Sequence, residues 1–125
     1  MATNSNQNPN KILVIEDEGE MCLLLSLILD DQGMEVDHVK TLSAAREFLE
    51  KEVPAVILLD NRLPDGLGID FINYIRESLP DVKIIMISGV DPEAEDAALE
   101  TGADHFLAKP FTKQQLHESI RNLLN

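Results

Sequence analysis

The chain has 125 residues, the size of one compact domain, and hydrophobic residues make up 44% of it, which supports a sizeable core and argues against global disorder. Its formal net charge is −13, with 10 basic against 23 acidic residues. That balance argues against direct binding to nucleic acid or to an anionic membrane, because phosphate neutralisation needs clustered Lys and Arg. It suits a protein that holds a hard cation. One cysteine, Cys22, cannot build a disulfide framework, and a reducing cytoplasm is the simplest compartment. No apolar run approaches the roughly 18 residues needed to span a bilayer. The polar start, residues 1–10, has no basic or apolar region of a secretory signal and is expected to be a disordered lead-in to a domain over 11–125.

Taken in chain order, Lys11 precedes the apolar run Ile12-Leu13-Val14-Ile15, which stops at Glu16-Asp17-Glu18. This reads as a buried strand with acids at its carboxyl end. A helix is expected over 19–32, with Gly33 as its C-cap. Met21, Leu24, Leu25 and Ile28 fall at helical spacing and are expected to face the core. Cys22, Leu23 and Leu27 are then left on the outer face with Ser26 and Asp30. Met34 to Val39 reads as a short strand. Thr41 offers an N-cap for a helix carrying Ala44, Ala45, Phe48 and Leu49, which Pro54 follows.

Val56-Ile57-Leu58-Leu59 then runs into Asp60, with the turn formers Pro64, Asp65-Gly66 and Gly68 behind it. A helix from about Leu67 to Ser78 turns Phe71, Ile72 and Ile75 inward. Val82 to Ile87 is another near-continuous apolar strand, ending at Ser88-Gly89. A weak Ala- and Glu-rich helix spans Pro92 to Thr101. His105 to Ala108 is a last short strand, ending at Lys109-Pro110. The capping box Thr112-x-x-Gln115 opens the final helix.

Five strands alternating with five helices, three of the strands continuous apolar runs, imply an α/β fold, with a doubly wound parallel sheet covered on both faces. The most apolar strands belong at its centre, which gives the order 2-1-3-4-5. Ligands bind such sheets beyond the carboxyl ends of the strands, at the switch point. Glu16-Asp17, Asp60, Ser88 and Lys109 all sit at those ends. Taken singly, each has a plain structural explanation: the acids as helix caps, Asp60 as a turn residue, Ser88 as an N-cap, Lys109 as a surface lysine. Together they form a coherent chemical set. Three carboxylates repel and call for a cation, and oxygen-only ligation suits Mg2+. A carboxylate can act as nucleophile in phosphoryl transfer, and an ammonium can neutralise the transferred group.

Glu16-Asp17 after ILVI, Asp60 in DNRLPDGLG, Ser88-Gly89 after IIMI and Lys109-Pro110-Phe111 together resemble the response-regulator receiver domain of two-component phosphorelays, of the chemotaxis-regulator-like, flavodoxin-like (βα)5 kind. The resemblance covers Lys11 to Leu124. It implies that Asp60 is the phosphoacceptor, fed by a histidine kinase or a histidine phosphotransfer protein. Asp17 would bind Mg2+ directly, Glu16 through water, and Arg62 through its backbone carbonyl. Lys109 would pair with Asp60 and then with the phosphoryl group. Ser88 would bond a phosphoryl oxygen, and Phe106 would be the aromatic switch that turns inward. The Lys109-Pro110 bond is expected cis. The resemblance makes the chain a signalling domain that promotes only its own phosphorylation and dephosphorylation. It acts on a protein target and admits a phosphorylation-dependent dimer.

Departures from the family pattern raise further expectations. The switch is Phe106 instead of tyrosine, so it buries without a hydroxyl. Asn61 stands where the family often has an apolar residue. The bulk of Arg62 and Val90 is expected to slow autodephosphorylation. Cys22, Leu23 and Leu27 offer an apolar docking strip for the phosphodonor or a second receiver, though scattered surface leucines are ordinary. His38, His105 and His117 share no metal spacing. A pseudo-receiver used only for docking is the alternative function, and the intact set of acids, Ser88 and Lys109 argues against it. A Mg2+-dependent hydrolase would need an acid at position 62, which is Arg.

Overall fold

The computed structural model describes residues 7–30, 33–89 and 92–124. The elements are β1 (Gln7–Ile15), α1 (Gly19–Asp30), β2 (Glu35–Val39), α2 (Leu42–Lys51), β3 (Val53–Asp60), β4 (Arg62–Leu63), β5 (Gly66–Leu67), α3 (Gly68–Ser78), β6 (Lys83–Gly89), α4 (Pro92–Thr101), β7 (His105–Lys109) and α5 (Lys113–Leu124). Five strands form one parallel sheet in the order β2-β1-β3-β6-β7, the doubly wound order expected from the apolar runs. No helix among the described residues is long and apolar enough to cross a membrane.

Strand alternation divides the core into two layers. Leu13, Ile15, Ile57, Leu59, Ile84, Met86 and Phe106 point to one face, where Ala45 and Leu49 of α2, Phe71, Ile72 and Ile75 of α3 and Ala98 of α4 cover them. Ile12, Val14, Val56, Leu58, Ile85, Ile87 and Leu107 point to the other, under Leu25, Ile28 and Leu29 of α1 and Leu116 and Ile120 of α5. Both faces of β3 are therefore dry. That is why its sequence is a continuous apolar run instead of an alternating one. Each such side chain, fully buried, contributes about 1.5–3 kcal/mol.

The two capping predictions are met. Thr41 Oγ1 accepts from Ala44 N at 3.0 Å. In the α5 box, Thr112 Oγ1 accepts from Gln115 N at 3.0 Å and Gln115 Oε1 accepts from Thr112 N at 2.8 Å. Gly33 has φ +73° and its N–H returns to Asp30 O at 3.0 Å, closing α1 as expected of a glycine C-cap.

Three expectations need correction. The lead-in does not extend to residue 10: β1 begins at Gln7, and Gln7 and Asn8 pair with Val53 and Pro54. Ladder bonds are made by the backbone, so a polar composition does not forbid them. The register breaks between Asn8 and Ile12, where Pro9 has no N–H to give. Second, the stretch after Asp60 holds more than the turns its residues announce; Arg62–Leu63 and Gly66–Leu67 pair as a two-stranded antiparallel hairpin. Third, α1 is rotated from the expected face. Cys22, Leu25, Ile28 and Leu29 are buried, whereas Leu24 is 47% exposed. Cys22 is therefore a core residue and not part of an outer strip. Its thiol donates to Glu16 O at 3.3 Å, and burial, reinforced by the Glu16 charge, pushes its pKa up. The outer strip is Leu23, Leu24 and Leu27 instead.

At the amino-terminal edge of the sheet, Lys11 is buried in β1 and its Nζ pairs with Glu35 and Asp37 of β2 at 2.7 Å each and with Glu52 at 3.2 Å. The hydrogen bonds of Asp37 and Glu35 raise the ammonium's pKa well above its ordinary value, against the effect of burial.

Candidate phosphoacceptor site

The carboxyl ends of β1, β3, β6 and β7 assemble the site. Glu16 follows β1 directly, and its N–H continues the ladder to Val39 O at 3.0 Å. This places its side chain inside the sheet edge, 2% exposed, while Asp17 lies outside, in solvent. Asp60 is the last residue of β3 and is 7% exposed. One carboxylate oxygen from each of Glu16, Asp17 and Asp60 lies within 4.8 Å of the others.

Lys109 closes β7, the far strand of the sheet, and reaches back across it. Its Nζ donates to Glu16 Oε1 at 3.1 Å and to Asp60 Oδ1 at 3.3 Å. Burial would lower the ammonium's pKa, but the charges of Asp60 and Glu16 outweigh it and the net shift is upward. For Glu16 burial dominates and raises its pKa, with the Asp60 charge acting the same way; the Glu18 N–H, 3.2 Å from Oε2, and Lys109 oppose it. Three carboxylates against one ammonium leave two negative charges around a point reached only by oxygen donors. That donor set fits a divalent hard cation such as Mg2+.

Ser88 lies near the end of β6, half-buried, in register with Ala108. Phe106, opposite Met86 in β7, is buried within the core layer under α3 and α4. The Lys109–Pro110 peptide is cis, as expected. Arg62 opens the small hairpin with its side chain exposed. Val90 lies outside the described residues. His38 and His105 are exposed and His117 Nε2 lies 3.3 Å from Ile28 O, so the histidines form no cluster.

The structure gives Asn61, Asp65 and Gly68 contacts that their sequence positions did not foretell. Asn61 accepts twice from the start of α3: its main-chain oxygen from Gly68 N at 2.7 Å and its Oδ1 from Ile69 N at 3.0 Å. Asp65 accepts from Leu42 N at 2.9 Å and Ser43 N at 3.0 Å, capping α2 from a loop more than twenty residues away. Those two N–H bonds hold its carboxyl below the ordinary carboxylate pKa. Gly68 packs so tightly that a Cβ there would stand 2.2 Å from Asp60 O. One signal was available: Leu67 is the N-cap of α3 and cannot cap it, so a polar residue elsewhere had to.

Parallel strands deliver three acids, a lysine and a half-buried serine to one sheet edge, which makes this a doubly wound α/β domain with its site beyond the carboxyl ends of the strands. The sequence model of the family described as "Response regulator receiver domain" matches residues 12–121, and this chain belongs to that family. Among curated relatives, the phosphate regulon transcriptional regulatory protein PhoB of Escherichia coli is 33% identical over 117 residues, covering 91% of this chain and 51% of PhoB. The KDP operon transcriptional regulatory protein KdpE of Escherichia coli is 36% identical over 111 residues, covering 88% and 49% respectively. The chain thus spans about half the length of these relatives. Among solved structures, the beryllofluoride-activated NtrC4 receiver domain dimer superposes with a TM-score of 0.88 at 34% identity, over 92% of this chain and 96% of that one. A CheY-like receiver domain protein from Methanospirillum hungatei gives 0.87 at 28% identity, over 92% and 93%. Phosphorylation-based signalling is the general function of this family.

Proposed function

We propose that Asp60 accepts a phosphoryl group from a histidine kinase or histidine phosphotransfer protein and that the domain, a cytoplasmic one, relays that event to a protein partner. The observation that carries this is the cluster of Glu16, Asp17 and Asp60 within 4.8 Å, bridged by Lys109. Glu16, Asp17 and Asp60, with the backbone carbonyl of Arg62, would hold Mg2+. Bound there, the cation would neutralise charge on the phosphoryl oxygens. An Asp60 oxygen attacks phosphorus as the donor's P–N bond breaks, forming an aspartyl-phosphate. Lys109 already bonds Asp60, so a small movement of its ammonium brings it to a phosphoryl oxygen. Ser88 then donates its hydroxyl to another. Buried Phe106, two residues before Ala108, couples that movement to the face of β7 and its neighbours. The Lys109 bridge to Glu16 keeps the resting site from carrying its full repulsion.

The exposed strip Leu23, Leu24 and Leu27 on α1 is the proposed docking surface for the phosphodonor's helices. The test of the central claim is to incubate the protein with Mg2+ and acetyl phosphate and measure intact mass. Wild type gains one phosphoryl group and Asp60→Ala gains none. No gain in wild type would reduce the domain to a docking module.

A further inference from the structure

The geometry points to Asn61 as a positioning residue for the metal-binding loop, an inference that rests on the function proposed above. An α-helix leaves its first N–H groups without internal partners, and the N-cap side chain normally supplies one. In α3 the N-cap is Leu67, which has no side-chain hydrogen bond to give. Asn61 supplies two of the missing acceptors from across the hairpin. Its main-chain oxygen takes Gly68 N and its Oδ1 takes Ile69 N. Because the donor is a backbone N–H, the acceptor must be the amide oxygen, so the orientation of the Asn61 side chain is fixed by chemistry.

This pair of bonds closes the segment between Asp60 and α3 into one unit. Between the clamped ends lies the hairpin, with Arg62 paired to Leu67. Asp65 ties the hairpin's turn to the start of α2. The nucleophile and the proposed carbonyl ligand are the neighbours of Asn61 on either side. Mg2+ demands near-ideal octahedral geometry, so donors held in place before binding bind it more tightly than donors that must be ordered. Asn61 touches neither metal nor phosphate in this scheme; it acts by holding the loop that does. An apolar side chain at position 61 would leave Ile69 N without its acceptor.

The experiment compares wild type, Asn61→Ala, Asn61→Asp and Thr112→Ala. Mg2+ is titrated calorimetrically, and amide hydrogen exchange is followed on the metal-free proteins. Asn61→Ala should weaken Mg2+ about fivefold, the equilibrium equivalent of a lost N-cap of about 1 kcal/mol, and should speed exchange at Ile69. Asn61→Asp, which keeps an acceptor oxygen of the same reach, should restore protection at Ile69. Thr112→Ala removes the comparable cap on α5, which is not tied to the hairpin, and should lower stability while leaving Mg2+ affinity at the wild-type value. Wild-type affinity in Asn61→Ala, or equal weakening in Thr112→Ala, overturns the inference. Wild-type protein that binds no Mg2+ overturns the proposed function, and this inference with it.

Discussion

Replacing Gly68 with alanine puts a methyl group where the structure has no room. Its Cβ would lie 2.2 Å from Asp60 O, 3.0 Å from Leu59 Cγ and 3.1 Å from Asp60 C. The nearest of these atoms is backbone at the buried carboxyl end of β3 and cannot swing aside. Reaching even a tight contact of 3.0 Å requires the first turn of α3 to retreat by about 0.8 Å. Overpacking of this kind costs about 1–3 kcal/mol. Alanine recovers up to about 1 kcal/mol of helix propensity, which is least effective in a first turn. We expect a net loss of about 2 kcal/mol, combining those two terms. The retreat also stretches the 2.7 Å bond from Gly68 N to Asn61 O, which loosens the loop behind the phosphoacceptor. Urea unfolding followed by far-UV circular dichroism should show the midpoint falling by about 1 M, for a slope of roughly 2 kcal/mol per molar. Phosphorylation by acetyl phosphate should slow in parallel. An unchanged or higher midpoint in Gly68→Ala would refute the steric reasoning.

Other outcomes follow from the same geometry. Asp65 has its carboxyl pKa lowered from 3.8 by the Leu42 and Ser43 N–H groups, so its contribution is present above 3.8 and lost as pH falls through the folded value. The stability gap between wild type and Asp65→Asn, measured by urea unfolding, should therefore close on acidification; a gap independent of pH would contradict this. Arg62→Ala should shorten the lifetime of the aspartyl-phosphate, read from loss of the phosphorylated mass with time, and a lifetime no shorter than wild type would dismiss the role of its bulk. Leu23→Glu combined with Leu27→Glu should impair phosphoryl transfer from a partner protein and spare acetyl phosphate, with little change in stability because both side chains are more than 60% exposed. Equal loss with both donors would count against a docking strip.

The strand ends were readable because each apolar run stops abruptly at a polar residue. A sheet covered on both faces writes that pattern directly into the chain. The site followed, since strand order alone brings Glu16, Asp60 and Lys109 to one edge. The buried face of α1 was not readable. Its sequence, GEMCLLLSLILD, is apolar nearly all round, so periodicity cannot choose between Cys22 and Leu24. The hairpin of β4 and β5 has two-residue strands, too short to show any alternation. Asp65 and Lys11 act on partners far away in sequence, 23 residues from Asp65 to Leu42 and 41 from Lys11 to Glu52. Local pattern holds no information about such pairs. Asn61 differs, because the missing cap at Leu67 was a local gap that could have been noticed.

The Lys109 bridge has a consequence for how the molecule is made. Glu16 and Lys109 are 93 residues apart, and Asp60 and Lys109 are 49 apart. Chains emerge from the ribosome amino end first, but a domain folds as a unit. Glu16, Asp17 and Asp60 meet only when the sheet forms, and pairing of β7 against β6 delivers Lys109 to the same edge. The last strand therefore does more than finish the sheet: a chain cut before it would keep the three acids and lose their counter-charge.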